Sequence, residues 1–567
     1  MTAPATRPHY RFWPKRVPHT ITLPDTSLWT NLDISALRFP DKTALSFFGR
    51  TRTFAQLRDE TLRLAGWLQR VAGVQRGDRV MLMMQNSPQF IIAYYAVLRA
   101  DAVVVPVNPM NRADEIGHYI TDPQARVALC GAELADQVVQ ANARLADGER
   151  LTHLVVTRYG DALPAAGSAA DAPPAAWRDW LYADPPLPAY ATRWPDALAA
   201  GHAPGPHAAR ADDLAVLPYT SGTTGLPKGC MHTHRTIMHN VVGGQVWLNA
   251  SADTVSLAVV PMFHITGMLY SMHLPLYLGG HAVIMPRWDR ELAGALISRH
   301  KVTSWTMIPT MIIDLLASPN VASFDLSSLQ HIGGGGAAMP QAVAEKLLER
   351  FGLRFIEGYG LTETAAPSHT NPPDAAKLQC LGIPYLGTDA RVVHPDTLAE
   401  LPPGEVGEII ICGPQVFKGY WQRPEATEAA FVEFEGKRFF RSGDLGRTDD
   451  DGYFFITDRL KRMINASGFK VWPAEVETML FKHPAVQEAC IIAAHDAYRG
   501  ETVKAVVVLR EAFKGTTSAD DIIAWSREHM AAYKVPRLVE FVDVLPKSGS
   551  GKVMWRLLQE KEQAAAT

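Results

Sequence analysis

Apolar residues recur at helical spacing over residues 29–39 and 54–71, with a short strand-like run at 43–48 between them. Gly77 and Asp78 turn the chain into an apolar run at 79–84, which predicts a strand. A helix is predicted over 87–99, a short strand over 103–106, and a second unit of the same kind from 115 to 129 and beyond. The alternation resumes with strands at 214–218, 255–261, 282–285, 304–308 and 331–332. Helices at 231–248, 270–278, 291–300, 309–318 and 340–351 separate them. Strands alternating with helices predict layered α/β sheets. Residues 159–209 break the pattern: they are rich in Ala, Pro and Gly, show little periodicity, and read as a surface excursion. From about 380 the runs shorten and alternate, as at 407–412, which suits a small β-rich subdomain. Beyond Asp458 and Arg459 a compact α+β unit is expected, with helices at 473–482 and 518–529 and strands at 486–493 and 503–509. The expected fold class is therefore α/β. A large multi-subdomain N-terminal domain covers 1–459 and a small α+β C-terminal domain covers 460–567, with no internal repeat.

Composition narrows the class. A chain of 567 residues exceeds one ordinary core. Its 47% apolar and 20% charged residues are globular values. A formal net charge of −3 argues against a nucleic-acid partner. The five cysteines are scattered and odd in number, without metal-ligand spacing, which fits a reducing, cytoplasmic setting. The first 20 residues lack the apolar core of a secretory signal, and runs such as 90–98 are too short to span a bilayer. Peripheral membrane contact stays open.

The densest chemistry lies at Thr220-Ser221-Gly222-Thr223-Thr224-Gly225, followed by Lys228, between a predicted strand and a predicted helix. Glycines let backbone N–H groups approach an anion, hydroxyls add donors, and Lys228 adds charge. This is a phosphate-gripping loop, although Leu226-Pro227 before the lysine set it apart from the common P-loop. Further along stand Gly333 to Gly336 with Ala337-Ala338, Glu357-Gly358-Tyr359-Gly360-Leu361-Thr362-Glu363, Arg441-Ser442-Gly443-Asp444, and Lys547-Ser548-Gly549-Ser550-Gly551-Lys552.

In this order the motifs resemble those of the adenylate-forming superfamily, over roughly residues 28 to 560, and most nearly its fatty-acid–CoA ligases. The resemblance implies an ATP-dependent acid–CoA ligase using Mg²⁺, with coenzyme A as cosubstrate. Acyl-adenylate and pyrophosphate form first; the thiol then displaces AMP. Thr220 to Gly225 and Lys228 would grip the β- and γ-phosphates. Glu363, with Thr223, would hold Mg²⁺, a hard cation that prefers oxygen. Gly336, Ala337, Ala338, Glu357, Gly358, Tyr359 and Gly360 would line the nucleotide, with the Tyr359 ring on adenine. Thr362 would bond a phosphate or acyl oxygen. Asp444 and Arg459 would take the ribose. Lys552 would bridge the attacking carboxylate and the α-phosphate. Lys461 would be the hinge on which a mobile C-terminal domain swings. Ser467, Gly468 and Lys470 would meet coenzyme A, although Lys470 and Trp472 suit a helix-cap role equally well.

His264 resembles the family's gate beside the carboxylate, while a core histidine is its other reading. Phe263, Met268, Met307 and Met311, with Gly334 and Gly335, would wall the acid. Methionines make adaptable apolar walls, and a Met-rich core has the same signature. Ser467-Gly468-Phe469 stands where plant coumarate ligases carry a lysine, which favours a medium- or long-chain aliphatic acid. Gly267-Met268 stands where some long-chain ligases have a tryptophan gate, which leaves an aryl or small acid as the alternative. Transfer to a carrier protein is a further alternative, though no carrier domain follows. A homodimer is compatible with the resemblance.

Overall fold

A computed structural model describes residues 7–164, 172–220, 226–336, 338–459, 462, 464–466, 469–471, 473–496, 500–547 and 553–565. The chain forms two compact units: Met1–Asp389 with Ile411–Glu433, and Ala390–Ile410 with Phe434–Thr567. The expected boundary at 459/460 lies within the second unit, between the strands Phe454–Arg459 and Ile464–Ala466.

The first unit carries two sheets. One has seven strands in the order Ala191–Arg193, His153–Thr157, Val127–Gly131, Arg79–Met83, Val103–Pro106, Leu214–Val216, His232–Thr233. All its pairings are parallel except the last. The other has nine strands. Its parallel centre runs Phe355–Leu361, His331–Gly334, Ser304–Met307, Val255–Ala258, His281–Ile284, Thr43–Phe47. Helices pack into these sheets as their sequences dictate. Phe54–Arg70 starts on a capping box, with the Thr53 hydroxyl accepting from Gln56 N and the Gln56 amide oxygen accepting from Thr53 N. Pro88–Arg99 begins at a Ser87 cap, and Pro88 to Leu98 are all buried, which is why that helix reads apolar on every side.

Three expectations need correction, and one strand, correctly expected, has an unexpected partner. The strand over 43–48 is half of a hairpin: Phe48 and Gly49 turn at φ 46° and 81°, and Arg50–Thr53 returns antiparallel. The helix expected from 231 begins at His234, because His232 and Thr233 pair with Leu214–Val216. The Thr233 hydroxyl then caps the helix on Thr236 N. The helix expected over 270–278 starts earlier and is not uniform: a run of three pieces comprises Ile265–Gly267, a π-helical stretch Met268–His273, and Leu274–Leu278. Pro275 has no N–H for the Ser271 carbonyl, so the ladder widens in the preceding turn. Finally, 159–209 is no loose excursion over its described residues. Ala191–Arg193 extends the seven-stranded sheet beside His153–Thr157, and Leu181, Trp194 and Ala197 are buried.

In the second unit, Lys437–Thr448 pairs antiparallel with Phe454–Arg459. A further sheet runs Phe469–Val471, Ile464–Ala466, Gly500–Leu509, Val486–Asp496, with Leu538–Phe541 parallel to Gly500–Leu509. Helices Pro473–Leu480, Ala519–His529 and Trp555–Ala565 accompany it. That is the α+β unit expected from the pattern.

Candidate active site

Adjacent parallel strands of the nine-stranded sheet deliver most of the candidate residues from their carboxyl ends, the face where open α/β sheets bind ligands. Val255–Ala258 leads to Phe263 and His264, Ser304–Met307 to Met311, His331–Gly334 to Gly335 and Gly336, and Phe355–Leu361 to Thr362 and Glu363. The strands lie so close that two glycines are obligatory. A Cβ on Gly334 would sit 1.8 Å from the Met307 carbonyl oxygen, and one on Gly335 would sit 2.2 Å from that of Gly358. Gly336 turns at φ 85°.

The phosphate loop is closed at its base and braced from three sides. Thr220 N donates to the Lys228 carbonyl at 3.0 Å, and Tyr219 bridges Gly229. Tyr219 Oη donates to Asp122 Oδ2 at 2.7 Å, and His118 Nε2 meets the Pro227 carbonyl at 2.7 Å. Arg423 pairs with the same Asp122 carboxylate at 2.6 Å. Ser221, Gly222, Thr223, Thr224 and Gly225 lie outside the described residues, as do Ala337, Lys461, Ser467, Gly468, Trp472 and Lys552.

Glu363 stands in a 3-10 turn, Thr362–Thr364. Tyr420 Oη donates to Glu363 Oε1 at 2.8 Å, and Phe417 N donates to the Glu363 carbonyl at 2.8 Å. Lys228 Nζ lies over the Tyr420 ring, 4.2 Å from its centre. The phosphate-loop cation and the acid are thus joined through one aromatic ring. His232 Nε2 contacts the Thr362 carbonyl at 2.7 Å; burial lowers this histidine to about 4, so it is a neutral donor at pH 7. Ala365 and Ala366, which follow, are left-handed at φ 50° and 77°. Asn240 Nδ2 holds them by reaching the carbonyls of Thr364, Ala365 and Pro367 at 3.2, 2.7 and 3.2 Å.

Tyr359 is buried, its ring 5.6 Å from that of His369. Glu357 turns its carboxylate onto backbone, accepting from Met339 N at 3.3 Å and Gln379 N at 3.0 Å. Burial raises this acid above the ordinary range against those hydrogen bonds. Gly358 and Gly360 share its strand, and Ala338 is exposed.

His264 caps the short helix after Pro261, its Nδ1 accepting from Thr266 N at 3.4 Å. The turn before it is set by buried Asn86, which donates to the carbonyls of Ala258, Val260 and Met285 and accepts from Met262 N. Met268, Met307 and Met311 all belong to the main buried cluster, and Tyr94 Oη donates to Met268 Sδ at 3.2 Å. Phe263 packs against that cluster, partly exposed.

Asp444 is in the second unit. It is buried, and its backbone N donates to Ser442 Oγ at 3.0 Å. Gly443 turns at φ 67°, and its N–H and the Arg441 guanidinium both meet Glu408. Arg459 stands opposite Asp444 in the antiparallel register, and Lys470 opposite Asn465.

Asn86, Asp122, His232, Asn240 and Tyr420 were not found by reading the sequence. The contacts Asp122–Tyr219, Asn240–Ala365, His232–Thr362 and Asn86–Met262 span 97 to 176 positions, and Tyr420–Glu363 spans 57. Only the run Lys418-Gly419-Tyr420-Trp421 carried any local signal, a glycine beside two aromatics.

Comparison with known proteins gives a consistent picture. Residues 32–421 match the family model described as AMP-binding enzyme, and 475–552 match the AMP-binding enzyme C-terminal domain. A long-chain-fatty-acid–CoA ligase of Bacillus subtilis is 36% identical over 563 residues, covering 98% of each chain. A feruloyl-CoA synthase of an Amycolatopsis species is 37% identical over 524 residues, covering 91% of this chain and 95% of its own. Among solved structures, ATP-bound MatB from Rhodopseudomonas palustris superposes with a TM-score of 0.81 at 28% identity, covering 96% of this chain and all of that one (100%). The anthranilate CoA ligase AuaEII with anthranoyl-AMP gives 0.80 at 27%, covering 96% and 99%.

Proposed function

The chain belongs to the AMP-binding enzyme family, and on that premise we propose that its acid substrate is a medium- or long-chain fatty acid. It is an AMP-forming acid–CoA ligase, ATP-dependent, with coenzyme A as cosubstrate. The observation that carries the site assignment is the Lys228–Tyr420–Glu363 contact at the ends of the parallel strands. It brings a cation and a carboxylate onto one tyrosine, as a polyphosphate with its counter-ion requires. An aliphatic acid is supported by a fatty-acid ligase that matches this chain over 98% of its length. An aryl acid is the second reading, favoured by the equally similar feruloyl-CoA synthase.

A carboxylate oxygen is a poor leaving group, so the acid is first joined to the α-phosphate of ATP, expelling pyrophosphate. Phosphoryl transfer asks the protein for position and charge rather than covalent chemistry. In our reading, Thr220 to Gly225 and Lys228 bind the β- and γ-phosphates. A lone carboxylate suits Mg²⁺, which keeps water and substrate phosphate as its other ligands. Glu363, with Thr223, would therefore hold Mg²⁺, whose part is to neutralise phosphate charge. Tyr359 and the backbone from Gly336 to Ala338 and Glu357 to Gly360 line the nucleotide. Glu357 contributes through its backbone, since its carboxylate is already taken up.

Asp444, an acceptor when ionised, and Arg459 take the ribose. Lys552 neutralises the carboxylate and α-phosphate together, and Thr362 orients them. His264, Phe263, Gly334 and Gly335 border the acid. The second half-reaction then needs a different surface: a C-terminal domain beginning at 460 turns about Lys461, and Ser467, Gly468 and Lys470 meet coenzyme A.

Mass spectrometry of products from ATP, Mg²⁺, coenzyme A and a graded panel of aliphatic and aromatic acids tests this. Acyl-CoA peaking at one aliphatic chain length supports the proposal. A peak among cinnamate- or benzoate-like acids moves the assignment to the second reading, and acyl-adenylate without thioester points to another acceptor, such as a carrier protein.

A further inference from the structure

Tyr420 lies between the two charged groups of the phosphate site, yet the reaction as derived gives it no part. Its backbone is fixed to the loop it faces. Cys230 and Tyr420 form an antiparallel bridge, Met231 N donates to the Gly419 carbonyl at 2.9 Å, and Trp421 N donates to that of Gly229 at 2.8 Å. Tyr420 N itself donates to Thr427 Oγ1 at 2.9 Å. Residues 418–421 thus run as an added strand along the base of the phosphate loop. Phe417, at its head, holds the Glu363 backbone, and its ring packs edge-on against Tyr420 at 4.9 Å. The residue is 8% exposed, so water does not compete freely for its hydroxyl.

We propose that Tyr420 is a positioning residue for adenylation: its hydroxyl orients the Glu363 carboxylate while its ring face holds the Lys228 ammonium beside it. The proposal deepens the ligase reading and rests on it. A carboxylate has two oxygens and about four lone-pair sites, so one phenol donor on Oε1 fixes its orientation without by itself exhausting its acceptors. A carboxylate oxygen can only accept, so the 2.8 Å contact makes the phenol the donor. The ring attracts Lys228 through its quadrupole, weakly enough for phosphate to take the ammonium over. One side chain thereby sets the spacing of acid and cation before nucleotide arrives.

Two substitutions separate the two contacts. Tyr420→Phe keeps the ring and removes the hydroxyl; Tyr420→Leu removes both. The first readout is calorimetric binding of α,β-methylene-ATP to the full-length protein, with Mg²⁺ and with EDTA. We expect Tyr420→Phe to match wild type in EDTA but to bind about tenfold more weakly with Mg²⁺, the size of a lost hydrogen bond to a charged group. Tyr420→Leu should weaken binding under both conditions. The second readout splits the half-reactions: kcat/KM for adenylation should fall about tenfold in Tyr420→Phe, while thioester formation from supplied acyl-adenylate stays at the wild-type rate.

Unchanged Mg²⁺-dependent binding in Tyr420→Phe overturns the proposal, and so does an equal loss in both half-reactions, which is what a merely structural tyrosine gives. Should Tyr420→Phe fail to fold, Tyr420→His keeps a ring and an N–H donor; partial recovery of the Mg²⁺ effect relative to Tyr420→Leu supports the role, and none overturns it. A wild-type protein that adenylates no acid sinks the ligase reading instead, and the binding comparison still decides for Tyr420.

Discussion

Asn240→Ala probes how the site's strained turn is held. Asn240 is fully buried, and its Nδ2 is shared among the carbonyls of Thr364, Ala365 and Pro367, all of them buried residues. Two amide protons serve three acceptors, so the substitution removes about two hydrogen bonds. It also leaves desolvated carbonyls, at roughly 1–3 kcal/mol for each group stranded. The turn has a reason to relax: Ala365 and Ala366 are left-handed, at about 1–2 kcal/mol apiece for a residue with a Cβ. A loss of about 3 kcal/mol in unfolding free energy is expected, since relaxation lets water reach some of the carbonyls. The same relaxation displaces Glu363 and Thr362, two and three residues upstream of Ala365. Adenylation should therefore fall at least tenfold even where the protein is fully folded.

Urea unfolding followed by tryptophan fluorescence reads the first effect, and pyrophosphate release well below the transition reads the second. Asn240→Ala combined with Ala365→Gly should recover about 1 kcal/mol, because glycine carries no left-handed penalty. A loss under about 1 kcal/mol with wild-type adenylation would refute the reasoning: the turn would then be held by its own chain.

Three further outcomes are expected. Lys552→Ala should abolish adenylation while sparing thioester formation from supplied acyl-adenylate, and equal loss of both would remove its assigned role. Gly334→Ala should cost more than about 2 kcal/mol of stability, because its Cβ meets backbone of the neighbouring strand rather than a movable side chain; a thermal melt that does not shift would contradict the register described. His232 is lowered to about 4 in the fold against about 6.5 unfolded, so its contribution is complete above pH 6.5 and is lost as pH falls toward 4. The stability difference between wild type and His232→Gln should accordingly shrink by about 2 kcal/mol from pH 7 to pH 5, and a pH-independent difference would show that the imidazole is not buried neutral.

The sequence carries its candidate chemistry in contiguous runs. Thr220 to Lys228, Gly333 to Ala338, Tyr359 to Glu363 and Asp444 were readable because a phosphate or a cation needs glycine, hydroxyl and charge within a few positions of one another. Strand–helix alternation was readable for the same kind of reason: burial of one face imposes a local period. It erred where local signals were equivocal, as in the Ala/Pro-rich 159–209, whose strand and buried Trp194 gain their stability from the neighbouring sheet.

Tertiary structure alone decided what joins these runs. No local rule pairs Tyr420 with Glu363, Asn240 with Ala365, or Asn86 with Met262, because each contact exists only once the sheet has brought distant segments together. The lone pairs and N–H groups that these residues satisfy belong to turns that have no form until the fold supplies it. By itself the sequence marked out which runs are candidates for gripping phosphate and determined the alternating α/β order of the elements. The packed fold determined how those groups are spaced and held, since spacing depends on contacts between residues far apart in the chain.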